Sequence, residues 1–151
     1  MDLKQVLSQI LPLAITWAEA EAHKAAQTGA LLTSAEQQLA RAVGVEHPEL
    51  VRIALVSQLP QPQHAQLRLA AQQTGLLGPG MAGLTLGHTV FIVHGHKTRR
   101  LLSHELRHVY QYEQLGSIAN FLPVYLEQIV GVGYANAPLE VDARAHEIRD
   151  V

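Results

Sequence analysis

Thr98-Arg99-Arg100-Leu101-Leu102-Ser103-His104-Glu105-Leu106-Arg107-His108-Val109-Tyr110-Gln111-Tyr112-Glu113-Gln114-Leu115-Gly116 is the stretch on which the rest of the chain turns. It opens on a residue that caps helices and closes on one that stops them. Neither proline nor glycine falls between, so a helix is expected over 99–115. Within it lie His104, Glu105 and His108 in the pattern HExxH. On a helix the two histidines share one face, a turn apart, and two neutral imidazoles at that spacing can share one zinc ion. Glu105 follows the first histidine directly. It can stand beside the metal without ligating it and take a proton from water held there.

Downstream, a helix over about 120–130 is followed by a loop with Gly131, Gly133, Tyr134 and Asn136, then a last helix over about 138–148 with proline in its first turn. A hydrolytic zinc site has three protein ligands and an open position, and HExxH supplies two of them. Glu140 is the best candidate for the third, 32 residues after His108. Asp142 and His146 are the alternatives. Ala143 and Ala145 are small enough to let the two helices approach closely. Tyr134, just before Glu140, is the first candidate for an added donor to a developing oxyanion, with His88 and His94 behind it.

Upstream, apolar residues from Leu3 to Ala18 recur at helical spacing within a helix over about 2–27, which Pro12 can kink. The apolar run 10–18 is too short for a bilayer. Pro12 and Thr16 interrupt it, and Glu19 and Glu21 follow, so a helix packed on the core is preferred to a signal peptide. Thr33 and Glu36 form a capping box for a short helix ending at Gly44. Val51, Ile53 and Leu55 alternate as a strand, and a helix over 64–73 closes at Gly75. Four glycines and a proline mark 75–83 as a loop. The stretch 84–93 is either two short strands about Gly87-His88 or one strand bent at Gly87.

From Gly83 to Glu147 the chain resembles the zincin metallopeptidases of the gluzincin branch, and in particular small bacterial HExxH domains of the form TLG…HELxHxxQ…PLExEA. The matching residues are Thr85-Leu86-Gly87, His104 to His108, Gln111 and Pro138 to Ala143. The resemblance implies zinc held by His104, His108 and Glu140, with Glu105 as general base. It also implies an edge strand beside the HExxH helix that can pair with an extended peptide, and Thr89–Val93 is expected to take that place. Many gluzincins carry an acidic residue four positions after the ligand glutamate, where it holds a ligand histidine. Here that position is Arg144.

Composition sets the limits. The chain has 151 residues, 48% hydrophobic and 16% charged, which suits one domain with a real core. The expected domain spans 1–151, with a motif-free part over 1–80 and the strand, HExxH helix and third-ligand helix over 81–151. A net charge of −2 without a basic tract argues against nucleic acid. The absence of cysteine excludes disulfides and cysteine–zinc sites. Isolated histidines, the His94-Gly95-His96 turn, Glu113 and Tyr110, Tyr112 and Tyr125 are expected in surface, solvated or packing roles, and Trp17 in the core.

The expected fold is α+β, mostly helical with a small sheet. The expected function is a zinc-dependent metallopeptidase acting on a peptide or protein, cytoplasmic and without stable membrane insertion, although envelope or secreted locations stay open. The alternative is a zinc-binding regulatory module of little activity on the same scaffold.

Overall fold

The computed structural model describes residues 2–150. Ten regular elements follow in order: α1 (Leu3–Ala26), β1 (Ala30–Leu31), α2 (Ser34–Ala42), β2 (Arg52–Val56), α3 (Ala65–Thr74), β3 (Gly83–Leu86), β4 (Thr89–Val93), α4 (Arg99–Leu115), α5 (Ile118–Val132) and α6 (Pro138–Ala145). The architecture is α+β, as the element pattern led us to expect. No single helix among the described residues is long and apolar enough to cross a membrane.

The sheet order is β1-β2-β4-β3, with β2 and β4 parallel and both outer pairs antiparallel. Alternation of side chains across the strands divides the core. Ile53, Val90 and Ile92 face α2 and α4, where Leu39, Val43, Leu102, Leu106 and Val109 meet them. Leu84, Leu86 and Phe91 face the other way, against α1, α3 and α5.

This order corrects one expectation. Thr89–Val93 is not the edge strand beside the HExxH helix, because β4 is paired on both sides. The edge strand is β3. Its Gly83 and Thr85 are buried against α4, where the Thr85 hydroxyl shares its one proton between the Glu105 carbonyl and carboxylate. Every residue from Thr89 to Ile92 is buried, which is the mark of an interior strand.

Local chemistry accounts for the helix ends. Thr98 Oγ accepts from Leu101 N, and Gly116 takes φ +103° at the close of α4, a conformation costly for any other residue. Ser117 caps α5 at once, so α4 and α5 meet at a bend of 116°. The capping box at Thr33 and Glu36 is complete. Pro12 lies inside α1 without ending it. The last helix stops at Ala145, earlier than its expected end near 148, and the chain then runs back along α4. There Ile148 N donates to Ser103 Oγ at 2.8 Å.

Candidate metal centre

α4 carries three functions on three faces. Leu102, Leu106 and Val109 fill the core, Glu105 and Tyr112 face β3, and His104, His108 and Gln111 face α6. α6 begins at Pro138 and receives a cap from α5, where Gln128 Oε1 accepts from Leu139 N at 2.9 Å. That anchoring sets Glu140 in the first turn, where the helix dipole favours a carboxylate. Of the small pair expected between the two helices, Ala143 is fully buried and Ala145 is exposed.

The result is a buried group of three. His104 Nε2 lies 3.1 Å from Glu140 Oε1 and His108 Nε2 lies 3.1 Å from Glu140 Oε2. One donor atom from each residue falls within 4.8 Å of the others, and no other such group of His, Cys, Asp or Glu occurs among the described residues. The alternatives for third ligand lie elsewhere. Asp142 accepts from Arg107 Nε at 2.8 Å and Gln111 Nε2 at 2.9 Å, and His146 turns to the Asp142 carbonyl.

The donor set fits a metal ion by its tautomers. Gln111 donates from Nε2 to both the Leu139 carbonyl and Asp142, so its Oε1 must accept from His108 Nδ1, 2.7 Å away. Glu147 Oε2 accepts from His104 Nδ1 at 2.8 Å. Both imidazoles thus carry a proton on Nδ1 and turn Nε2 inward to Glu140, so Nε2 is the atom each would offer a metal ion on giving up the proton it shares with that carboxylate. Glu147 thus holds the His104 ring, whereas the Arg144 guanidinium turns away to the Ala135 carbonyl. Arg100 lies 3.5 Å from the second oxygen of Glu147.

Electrostatics agree. Burial alone would lower the pKa of His108, yet the Glu140 hydrogen bond and the charges of Glu105 and Glu140 push it up to about 9. His104 is raised against the same burial, chiefly by Glu140 and Glu105. Burial would raise Glu140, but hydrogen bonds from both histidines hold its carboxyl far below the usual range. Negative charge that draws protons onto imidazoles equally favours a cation among them.

Glu105 is not in the triad. Its buried carboxylate accepts from Thr85 Oγ at 2.9 Å, and desolvation raises its pKa more than the neighbouring histidines lower it. Gly83 makes room for it, since a Cβ there would come within 2.9 Å of Glu105 Oε2.

Of the expected oxyanion donors, Tyr134 lines the same cavity as Glu105, His108 and Glu140, and burial with the Glu140 charge keeps it protonated. His88 is turned away to Glu113 at 2.9 Å, and His94 is exposed. Tyr125, expected only to pack, donates its hydroxyl to Glu140 Oε2 at 2.8 Å. Its spacing from His108 carries no sequence signal, because α5 reaches the site by the bend at Gly116. Glu113, expected to be solvated or near the metal, instead has its side chain buried. It accepts from Glu46 N at 2.7 Å and His47 N at 3.0 Å and ties down the loop after α2.

No protein-family model, curated protein or solved structure matches the chain. The centre is therefore defined by its own geometry: a buried His–His–Glu group able to hold a metal ion, with its histidines spaced as in HExxH motifs.

Proposed function

We propose that the protein is a zinc-dependent hydrolase of amide bonds, most simply a small metallopeptidase. The observation that carries this is the convergence of His104 Nε2, His108 Nε2 and the Glu140 carboxylate, with the buried Glu105 carboxylate alongside. Two imidazoles and one carboxylate are the donors of a hydrolytic zinc site, and all are hard or borderline, which suits zinc. Bound there, zinc would supply a Lewis acid that polarises a carbonyl and acidifies water.

The chain's own groups do the rest. Glu105 accepts the proton of the attacking water, and its raised pKa makes it a better base than a solvated glutamate. The Thr85 hydroxyl holds that carboxylate in place. Glu105 then returns the proton to the departing amine as the C–N bond breaks, so the products are a carboxylic acid and an amine. Tyr134, kept protonated, serves as hydrogen-bond donor to the oxygen that gains charge. Tyr125 fixes the orientation of the Glu140 carboxylate.

The test is metal stoichiometry after zinc reconstitution on wild type, His104→Ala, Glu140→Ala and Glu105→Gln, followed by hydrolysis of mixed peptide amides. One zinc per chain in wild type and in Glu105→Gln, lost in His104→Ala and weakened in Glu140→Ala, is the expected pattern. Glu105→Gln should then hydrolyse about 10²–10⁴-fold more slowly. Wild type that takes up no zinc overturns the proposal. Wild type that loads zinc and hydrolyses nothing supports the alternative of a zinc-binding module.

A further inference from the structure

The candidate centre does not open onto the sheet edge alone. Glu105, His108, Glu140, Tyr125 and Tyr134 form one wall of a cavity of about 130 Å³ whose other walls are apolar. Leu3, Leu7, Ile10, Ala14 and Trp17 line it from α1. They fall at steps of four, three, four and three residues, so they occupy one helical face and run for roughly 21 Å along the axis. α3 adds Leu67, Ala70 and Ala71, and Leu76, Leu77 and Met81 of the glycine-rich loop lie over it. The cavity is thus a trough, long in one direction and floored at several points by alanine.

Its walls decide what can lie in it. The edge strand β3 lines the cavity beside Glu105, with Gly83 to Leu86, but along α1 and α3 the trough is built from helix faces, whose backbone N–H and C=O groups are already paired along their own axes. A second main chain laid along α1 would bury its amides without partners, which is costly. An alkyl chain has no such groups to satisfy and gains only from apolar burial. We propose that the trough binds a single extended alkyl chain, so that the substrate of the centre is an amphiphile whose amide lies at Glu105 and whose chain lies along α1. The proposal rests on the hydrolase reading for the amide and on the trough alone for the chain. Hydrolysis adds water across the C–N bond as above and leaves the alkyl chain unchanged.

Trp17 lines the trough and is the only tryptophan of the chain, which gives a readout independent of zinc and turnover. The experiment titrates the full chain, with and without zinc, with a medium-chain carboxylate brominated in turn at each of several positions along its chain, below its micellar concentration. The comparison ligand is an N-acetylated leucine-rich peptide amide carrying a bromophenylalanine. Bromine quenches indole emission only at short range. The expected result is saturable loss of Trp17 emission with the carboxylate and none with the peptide. Ala14→Phe, which fills the trough, and Leu7→Lys, at a half-buried position, should each weaken binding about tenfold or more. No saturable quenching, quenching by the peptide alone, or quenching unaffected by both variants would overturn the proposal. Failure of zinc uptake with alkyl binding intact would overturn the hydrolase reading and leave the trough assignment standing.

Discussion

At the scale of single residues, Glu147 was the least legible member of the centre. The four-residue offset from Glu140 falls on Arg144, and a helix running to 148 would carry Glu147 on the Glu140 face but roughly 10 Å farther along the axis. In the structure α6 ends at Ala145, and the freed chain delivers Glu147 to His104 Nδ1 at 2.8 Å. Glu147→Ala should therefore leave the fold intact and weaken zinc affinity by roughly 10–100-fold, measured by competition with a chromophoric chelator. An unchanged affinity would remove Glu147 from the site. Gly83 is a second such position. Gly83→Ala would press on the Glu105 carboxylate 2.9 Å away while leaving the triad untouched. Hydrolysis should fall with zinc binding unchanged, and a parallel fall in both would mean the sheet edge itself had shifted. His104, Glu105 and His108 were legible because helical spacing alone places them, whereas Tyr125 depended on a bend between helices that no local pattern encodes.

At the scale of elements, what could be read was what local chemistry dictates. α4 runs from Arg99 to Leu115 as its flanking threonine and glycine required. The two residues of β1 could not be read, since Ala30 and Leu31 become a strand only by pairing with Ile53 and Arg52. The exchange of β3 for β4 at the edge had a signal in hand, because an unbroken apolar run such as Val90-Phe91-Ile92-Val93 marks an interior strand. The capping box on α2 yields a pH prediction. Burial would raise Glu36, yet hydrogen bonds from Lys97 and the Thr33 N–H lower its pKa below the ordinary 4.5. A lowered folded-state pKa means that the unfolded chain binds more protons there. The stabilisation is therefore present above about pH 4.5 and lost as pH falls through the folded-state value. Urea midpoints of Glu36→Gln should be less steep in pH than those of wild type over that window. Thr33→Ala, which removes the reciprocal half, should cost about 1 kcal/mol at neutral pH. Equal pH slopes in wild type and Glu36→Gln would count against the box.

At the scale of the molecule, the sheet separates two cores of different character. One, under α2 and α4, is closed, and Leu106 at its centre has no exposed surface. Leu106→Ala should destabilise by roughly 2–5 kcal/mol and lower the melting temperature whether or not zinc is present. The other, among α1, α3 and α5, contains the trough. Composition and hydrophobic spacing foresaw an α+β domain, mostly helical with a small sheet, and an N-terminal helix packed on its core. They did not foresee that the face of α1 would be left partly unfilled, because a face that packs and a face that lines a cavity have the same apolar periodicity. Zinc should raise the melting temperature of wild type and leave that of His104→Ala unmoved, since only the folded chain brings the three ligands together.

The distribution of the centre along the chain has a consequence for biosynthesis. His104 and His108 are made early relative to their partners, Glu140 and Glu147, which follow by 36 and 43 positions from His104. Chains grow from the N-terminus at roughly 5–20 residues per second, so α4 is complete seconds before α6. During that interval the HExxH helix offers two imidazoles without Glu140 and without an acceptor for His104 Nδ1. If the centre holds zinc as proposed, a nascent chain would be a poor competitor for it, and loading would wait for Glu140 and Glu147 to emerge.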